Sequence, residues 1–258
     1  MRIGIIAAMI EEIELLKHDM QLESCDQIAS RQYYTGQLYG EDSVLVFSRW
    51  GKVASAMTAT TLINHYKIDR LIFLGVAGAI QDELNIGDVV IARKLYQHDM
   101  DARPLFSKHE IPLTDTVFFV ADEQLSSWAE QAAKDFCHQG FKTAISNEAR
   151  QEFSLTAPAC YSGIIASGDA FVSNIAQKDA IIADMPEVLA VEMEGAAVAQ
   201  VCYEHNIPFS VIRIISDRAD HSAPVDFPKF VAQVAKYYSR DILKVLYQNI
   251  MNTATLKA

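Results

Sequence analysis

Short, continuously apolar runs alternate along the chain with longer segments whose apolar positions recur every three or four residues. RIGIIAA, beginning at Arg2, has the character of a buried strand, and it passes directly into MIEEIELLKHD, where Ile10, Ile13, Leu15 and Leu16 recur at helical spacing. A strand-to-helix junction is therefore expected near Met9. YYTGQLYG and SVLVFSR predict two strands joined by the turn Gly40-Glu41-Asp42, and GKVASAMTATTLINHYK predicts a small-residue helix opened by its glycine. RLIFLGVAGAI predicts a buried strand ending in a glycine-containing loop, and GDVVIARKLYQ predicts another strand. An amphipathic helix is expected over 122–138, a strand over 161–167, a helix around 175–184 and a strand entering AVEM. A helix over GAAVAQVCYEHN, a strand over PFSVIRIIS and a long helix from about Asp226 to Tyr247 complete the pattern; residues 102–160 are the least decided part. Strands and helices interleave with no linker-like break, which predicts one layered α/β domain over 1–248 and a tail over 249–258.

Composition narrows the classes of function. Half of the 258 residues are hydrophobic and 21% are charged, which excludes a disordered or low-complexity chain. The net charge is −11 and no Lys/Arg cluster stands ready to neutralise phosphates, so nucleic acid is not expected as a partner. No run approaches the ~20 apolar residues that span a bilayer, and Glu11 and Glu12 interrupt the first apolar run too early for a signal peptide. Cys25, Cys137, Cys160 and Cys202 are scattered without metal-ligand spacing, which fits reduced thiols in a cytoplasmic protein and no metal site.

In α/β sheets a ligand sits beyond the carboxyl ends of the strands. That rule selects Glu12, the Gly75–Ile80 segment, Ser167–Phe171, Glu192 with Glu194, and Ser216–Asp217. Some of these have plain alternatives. Glu11 and Glu12 suit the first turn of a helix with no further role. Of Glu192 and Glu194, one could pair with an arginine and the other cap a helix, although at a strand end both could face one cleft. Asp217 could form a salt bridge or turn with Arg218, and Phe171, Met193 and Phe227 taken singly suit a core. Arg213, the only charge in its apolar strand, must meet a carboxylate or a ligand anion. HDMD, residues 98–101, suits a polar loop better than a metal site. There is no G-x-G-x-x-G, Walker lysine or G-x-S-x-G pattern. Together, strand-end acids, a buried arginine and aromatics describe a pocket for a flat-ringed, polyhydroxylated molecule and acid/base chemistry.

In order, IGIIAAMIEE, WGKV, GVAGAI with NIGDVV, ASGDAFV, AVEMEGAAVA and IRIISDRAD closely resemble the 5′-methylthioadenosine/S-adenosylhomocysteine nucleosidases of the purine nucleoside phosphorylase superfamily, from Arg2 to about Phe227. The resemblance implies a three-layer αβα sandwich with a twisted central mixed sheet, no cofactor or metal, and usually a homodimer. It implies that Glu12 activates the attacking water and that Asp217, oriented by Ser216, protonates the purine at N7. Glu194 would bind the ribose hydroxyls with Met193 packed on the sugar, Glu192 would support the water or ribose network, and Arg213 would hold the acids in register. Phe171 would stack on adenine while the Val172 backbone reads its edge. Phe227 would close the thioalkyl end, and Met9, Trp50, Val76, Ala77 and Gly78 would line the pocket. Ala102 and Leu105, in YQHDMDARPLF, would reach the neighbouring subunit's pocket.

The chain departs from the family pattern at Ile10, where many relatives have a third acid, at Trp50, where an aliphatic residue is common, and at Val76, where a serine is frequent. Ala102 and Leu105 stand where larger groups occur. These departures bear on the 5′-substituent. Phosphorolysis, hydrolysis of another purine nucleoside such as futalosine, and noncatalytic nucleoside binding are the alternatives to methylthioadenosine and adenosylhomocysteine hydrolysis.

Overall fold

The computed structural model describes residues 1–7 and 9–255. The chain runs β1 (Arg2–Ala7), α1 (Ile10–Asp19), β2 (Gln21–Ile28), β3 (Arg31–Leu38), β4 (Glu41–Phe47), α2 (Lys52–Asn64), β5 (Arg70–Ala79) and β6 (Val89–Gln97). It continues through β7 (Phe119–Val120), α3 (Glu123–Asp135), α4 (Phe141–Ala144), α5 (Asn147–Glu152), β8 (Cys160–Ser167), α6 (Ile175–Asp184) and β9 (Val188–Glu192). It ends with α7 (Gly195–His205), β10 (Phe209–Asp217), α8 (Ala223–Phe230) and α9 (Lys236–Thr255).

These strands form one mixed sheet with helices on both sides. The order is β10-β6-β8-β9-β5-β1-β4-β3-β2, and β10 also pairs with β5. That second pairing closes β5, β10, β6, β8 and β9 into a ring, while β1, β4, β3 and β2 extend from it as an open wing. Side chains alternate along each strand and so feed two cores. Ile72, Leu74 and Val76 of β5, with Ile212 and Ile214 of β10, pack under α1, α3 and α9. Leu71, Phe73 and Ala77, with Val211 and Ile215, pack under α2 and α7.

The structure differs from the pattern-based expectation in three places. β2, QLESCDQI, is exposed along nearly its whole length, so it has no apolar signal and is held by its ladder to β3. The expected glycine loop at 75–80 is instead the end of β5, paired with β10 and β9 through Ala79. Small residues are required there because a Cβ at Gly78 would lie 3.0 Å from that of Ala219. The last helix begins at Ala223, is interrupted by a π-turn at Val231–Ala235 and runs to Thr255 with Ile250 buried. It thus continues past the expected end at Tyr247, and residues 256–258 of the expected tail lie outside the described residues. Among the described residues no helix is long and apolar enough to cross a membrane.

Candidate active site

The carboxyl ends of β1, β4, β5, β8, β9 and β10 open onto one cavity of about 340 Å³, which α8 covers from the side. Met9 follows β1 and Trp50 follows β4, Val76, Ala77 and Gly78 end β5, and Phe171 and Val172 follow β8. Glu192, Met193 and Glu194 join β9 to α7, Ser216 and Asp217 end β10, and Phe227 projects from α8. The walls are therefore largely apolar, with the acids gathered at the strand ends. Ala170, Val191, Pro224 and Pro228 also line the cavity and carry no sequence signal of their own.

Glu192 is the hub of the acidic group. Its Oε1 accepts from the Ser167 hydroxyl, and the Gly195 amide donates to both carboxylate oxygens at 2.9 and 2.8 Å. Oε2 also accepts from the Glu194 amide at 3.1 Å and from Arg213 Nε and Nη2 at 3.2 and 2.7 Å. Both plain alternatives for the paired acids, the arginine partner and the helix cap, are thus met by Glu192 alone. Arg213 is fully buried, donates to the Phe73 and Ile212 carbonyls and lies 4.0 Å over the Phe73 ring.

Glu194 occupies the N-cap position of α7 and accepts from the Gly51 amide at 2.8 Å, which ties the entrance of α2 to the acidic cluster. Burial, and then the neighbouring Glu192 charge, push its carboxyl well above the usual carboxylate range. Asp217 is 3% exposed. Its Oδ2 accepts from Ser216 Oγ at 2.8 Å and its Oδ1 from the Ala219 amide at 2.9 Å. Burial raises its proton affinity, Asp220 and Asp226 add to this, and the two hydrogen bonds oppose it.

Glu12 is fully buried and stands behind Met9, outside the cavity wall. It folds back to accept from the Met9 amide at 3.2 Å, and Ser239 Oγ donates to its other oxygen at 3.0 Å. Burial pushes its pKa up to about 7, while Ser239, Arg213 and the Met9 amide pull it down. Sequence reasoning missed Ser239, which lies 227 residues away and has no motif around it.

The cavity mouth is aromatic. Phe227 meets Phe171 edge-on at 5.7 Å and Trp50 at 6.1 Å between ring centroids. Ala102 and Leu105 lie on the 98–118 segment, away from this cavity, with Leu105 83% exposed. In the HDMD run, Asp99 accepts from Lys52 Nζ and from the Asp169 amide, and Asp101 is held by Arg103. Among the described residues no group of three His, Cys, Asp or Glu side chains is arranged to hold a metal ion.

A mixed sheet with strand-end acids around an apolar cleft suits acid/base chemistry on a flat-ringed, polyhydroxylated ligand. The family model described as "Phosphorylase superfamily" matches residues 2–246, and the chain belongs to that superfamily. It is 35% identical, over 95% of its length and 99% of the relative's, to the 5′-methylthioadenosine/S-adenosylhomocysteine nucleosidase of Haemophilus influenzae (strain PittEE). It superposes with a TM-score of 0.83 and 35% identity, covering 97% of both chains, on the S-adenosylhomocysteine nucleosidase of Streptococcus pyogenes in complex with 5-methylthiotubericidin. A futalosine hydrolase of Helicobacter pylori superposes with a TM-score of 0.81 at 29% identity, over 96% of this chain and 97% of that one. Within the superfamily the chain sits with the 5′-methylthioadenosine/S-adenosylhomocysteine nucleosidases.

Proposed function

We propose that the protein hydrolyses the N-glycosidic bond of 5′-methylthioadenosine and S-adenosylhomocysteine, releasing adenine and the corresponding thioribose. The observation that carries this reading is a pair of buried acids, Asp217 and Glu194, facing one apolar cavity with Glu12 behind its wall. Cleavage leaves positive charge on the sugar and negative charge on the base. Asp217, whose proton affinity burial raises and which Ser216 aims, delivers a proton to the purine N7 and so turns a poor leaving group into a good one. Glu194 in its ionised form accepts hydrogen bonds from the ribose hydroxyls and favours the developing oxocarbenium ion. Glu12 in its ionised form takes the proton from the attacking water. Met193 packs on the sugar, Phe171 on adenine with the Val172 backbone at its edge, and Phe227 and Trp50 enclose the thioalkyl group. Glu192 and Arg213 hold Glu194 in place.

Phosphorolysis is disfavoured. No lysine or arginine is among the described residues lining the cavity, Arg213 is engaged by Glu192, and Arg49 donates to the Ser30 carbonyl. A phosphate dianion would instead meet a group of carboxylates. We infer further that the protein is a cytoplasmic homodimer acting in methionine salvage, in which Ala102 and Leu105 complete the partner's pocket. Free cysteines support the compartment, and exposed Val53, Met57, Leu105 and Leu113 support the assembly.

The test is to offer methylthioadenosine, adenosylhomocysteine, inosine and futalosine with and without phosphate and follow free base and ribose 1-phosphate. Phosphate-independent adenine release from the two thioadenosines is expected. Ribose 1-phosphate, base release from futalosine alone, or binding without turnover would overturn the reading, and light scattering tests the dimer.

A further inference from the structure

We propose that Ser239 is a positioning residue for Glu12: its hydroxyl holds the Glu12 carboxylate in one orientation and stabilises the anion that accepts a proton from water. The proposal rests on the reading of Glu12 as the group that activates water.

The geometry is specific. Ser239 is fully buried, on a face of α9 that also carries the buried Ile242, Leu243, Leu246 and Ile250. A hydroxyl in such surroundings is costly unless it is bonded. Serines inside helices commonly return their proton to a carbonyl one turn back; this one donates it to Glu12 Oε1 at 3.0 Å. The contact joins the first helix of the chain to the last. The π-turn at Val231–Ala235 lies one turn before Ser239. It also separates Ser239 from α8, whose Phe227 and Pro224 form part of the cavity wall.

The anion at Glu12 depends on few groups. Its Oε2 is held by the Met9 amide, Arg213 from β10 contributes favourable charge, and Glu11 on α1 opposes it. Ser239 is the side-chain donor in this set, so its loss withdraws support from the ionised form and leaves the neutral form comparatively favoured.

The experiment follows kcat and kcat/KM for methylthioadenosine against pH in the full-length protein and in Ser239→Ala, Ser239→Cys and Glu12→Gln. For Ser239→Ala the acidic limb is expected to move upward by about one pH unit, with kcat falling more than KM changes. Ser239→Cys keeps the volume with a weaker donor, so its limb should fall between those of wild type and Ser239→Ala, and it serves if the alanine variant does not fold. Glu12→Gln should lose activity at every pH. If Glu12→Gln is inactive while the limbs of both Ser239 variants superimpose on wild type, the role of Ser239 is refuted and that of Glu12 stands. If Glu12→Gln keeps wild-type activity, the reading of Glu12 itself fails.

Discussion

Replacing Arg213 by methionine removes a cation of similar length from the centre of the acidic cluster. Both partners of the Arg213–Glu192 pair are inaccessible, with side-chain exposures of 0% and 2%, so solvent does not screen the loss. The variant forfeits the bonds at 3.2 and 2.7 Å to Glu192 Oε2, two bonds to main-chain carbonyls and the contact over Phe73. Breaking a buried pair by removing one partner typically costs about 3–5 kcal/mol, because the other charge stays buried. Glu192 keeps Ser167 and the amides of Glu194 and Gly195, which places the expected cost near the lower end, about 3 kcal/mol. Pairing Arg213→Met with Glu192→Gln removes the orphaned charge, so the double variant should be more stable than the sum of the single losses implies, by about 2 kcal/mol. The assay is urea unfolding of wild type, both single variants and the double variant at one protein concentration, followed by circular dichroism and fluorescence. A cost for Arg213→Met below about 1 kcal/mol, or strict additivity in the double variant, would refute the reasoning.

Three further outcomes are expected. Asp217→Asn should lower kcat about 10²–10⁴-fold with little change in KM, read from steady-state adenine release, because the amide cannot supply the proton. Gly78→Ala should reduce kcat roughly ten- to a hundred-fold while the fold survives by circular dichroism, since a Cβ there would lie 2.9 Å from Asp217 Oδ1. Glu12→Gln should also alter the pH dependence of stability. The folded-state pKa of Glu12 is raised from 4.5 to about 7, so its favourable contribution is complete below 4.5 and is lost as pH rises to about 7. Relative to wild type, ligand-free Glu12→Gln should therefore gain about 3 kcal/mol across that window and nothing more above it; parallel Tm curves from pH 5 to 8 would contradict this.

The parts of the fold that bury apolar faces were readable from the sequence, and those that do not were hidden. β10 and α7 advertise themselves through apolar runs, whereas β2 presents polar side chains on both faces and is defined by main-chain pairing that no composition reports. The closure of the ring depends on β10 meeting both β5 and β6, a long-range choice without local signature. The strand-end rule located the cavity because buried carboxylates are rare and conspicuous, and Glu192, Glu194 and Asp217 all line it. It could not apportion their bonds. Glu192 is occupied by Ser167, Arg213 and two amides, and only coordinates show that Glu194 is the more lightly engaged of the two. Pro224 and Pro228 were missed because apolar wall residues resemble core, and Ser239 because a lone serine in a helix carries no periodic pattern.

The span between Glu12 and Ser239 bears on how the protein comes to life during synthesis. A nascent chain that has extruded β1, the acids after β9 and the end of β10 still lacks the hydroxyl that α9 brings back to its first helix. Local pieces can collapse early, but contacts of such separation form only once the distant segment is available. Ribosome-bound fragments stopped before Ser239 should thus bind nucleoside poorly and release no adenine, so the arrangement withholds chemistry until α9 has emerged.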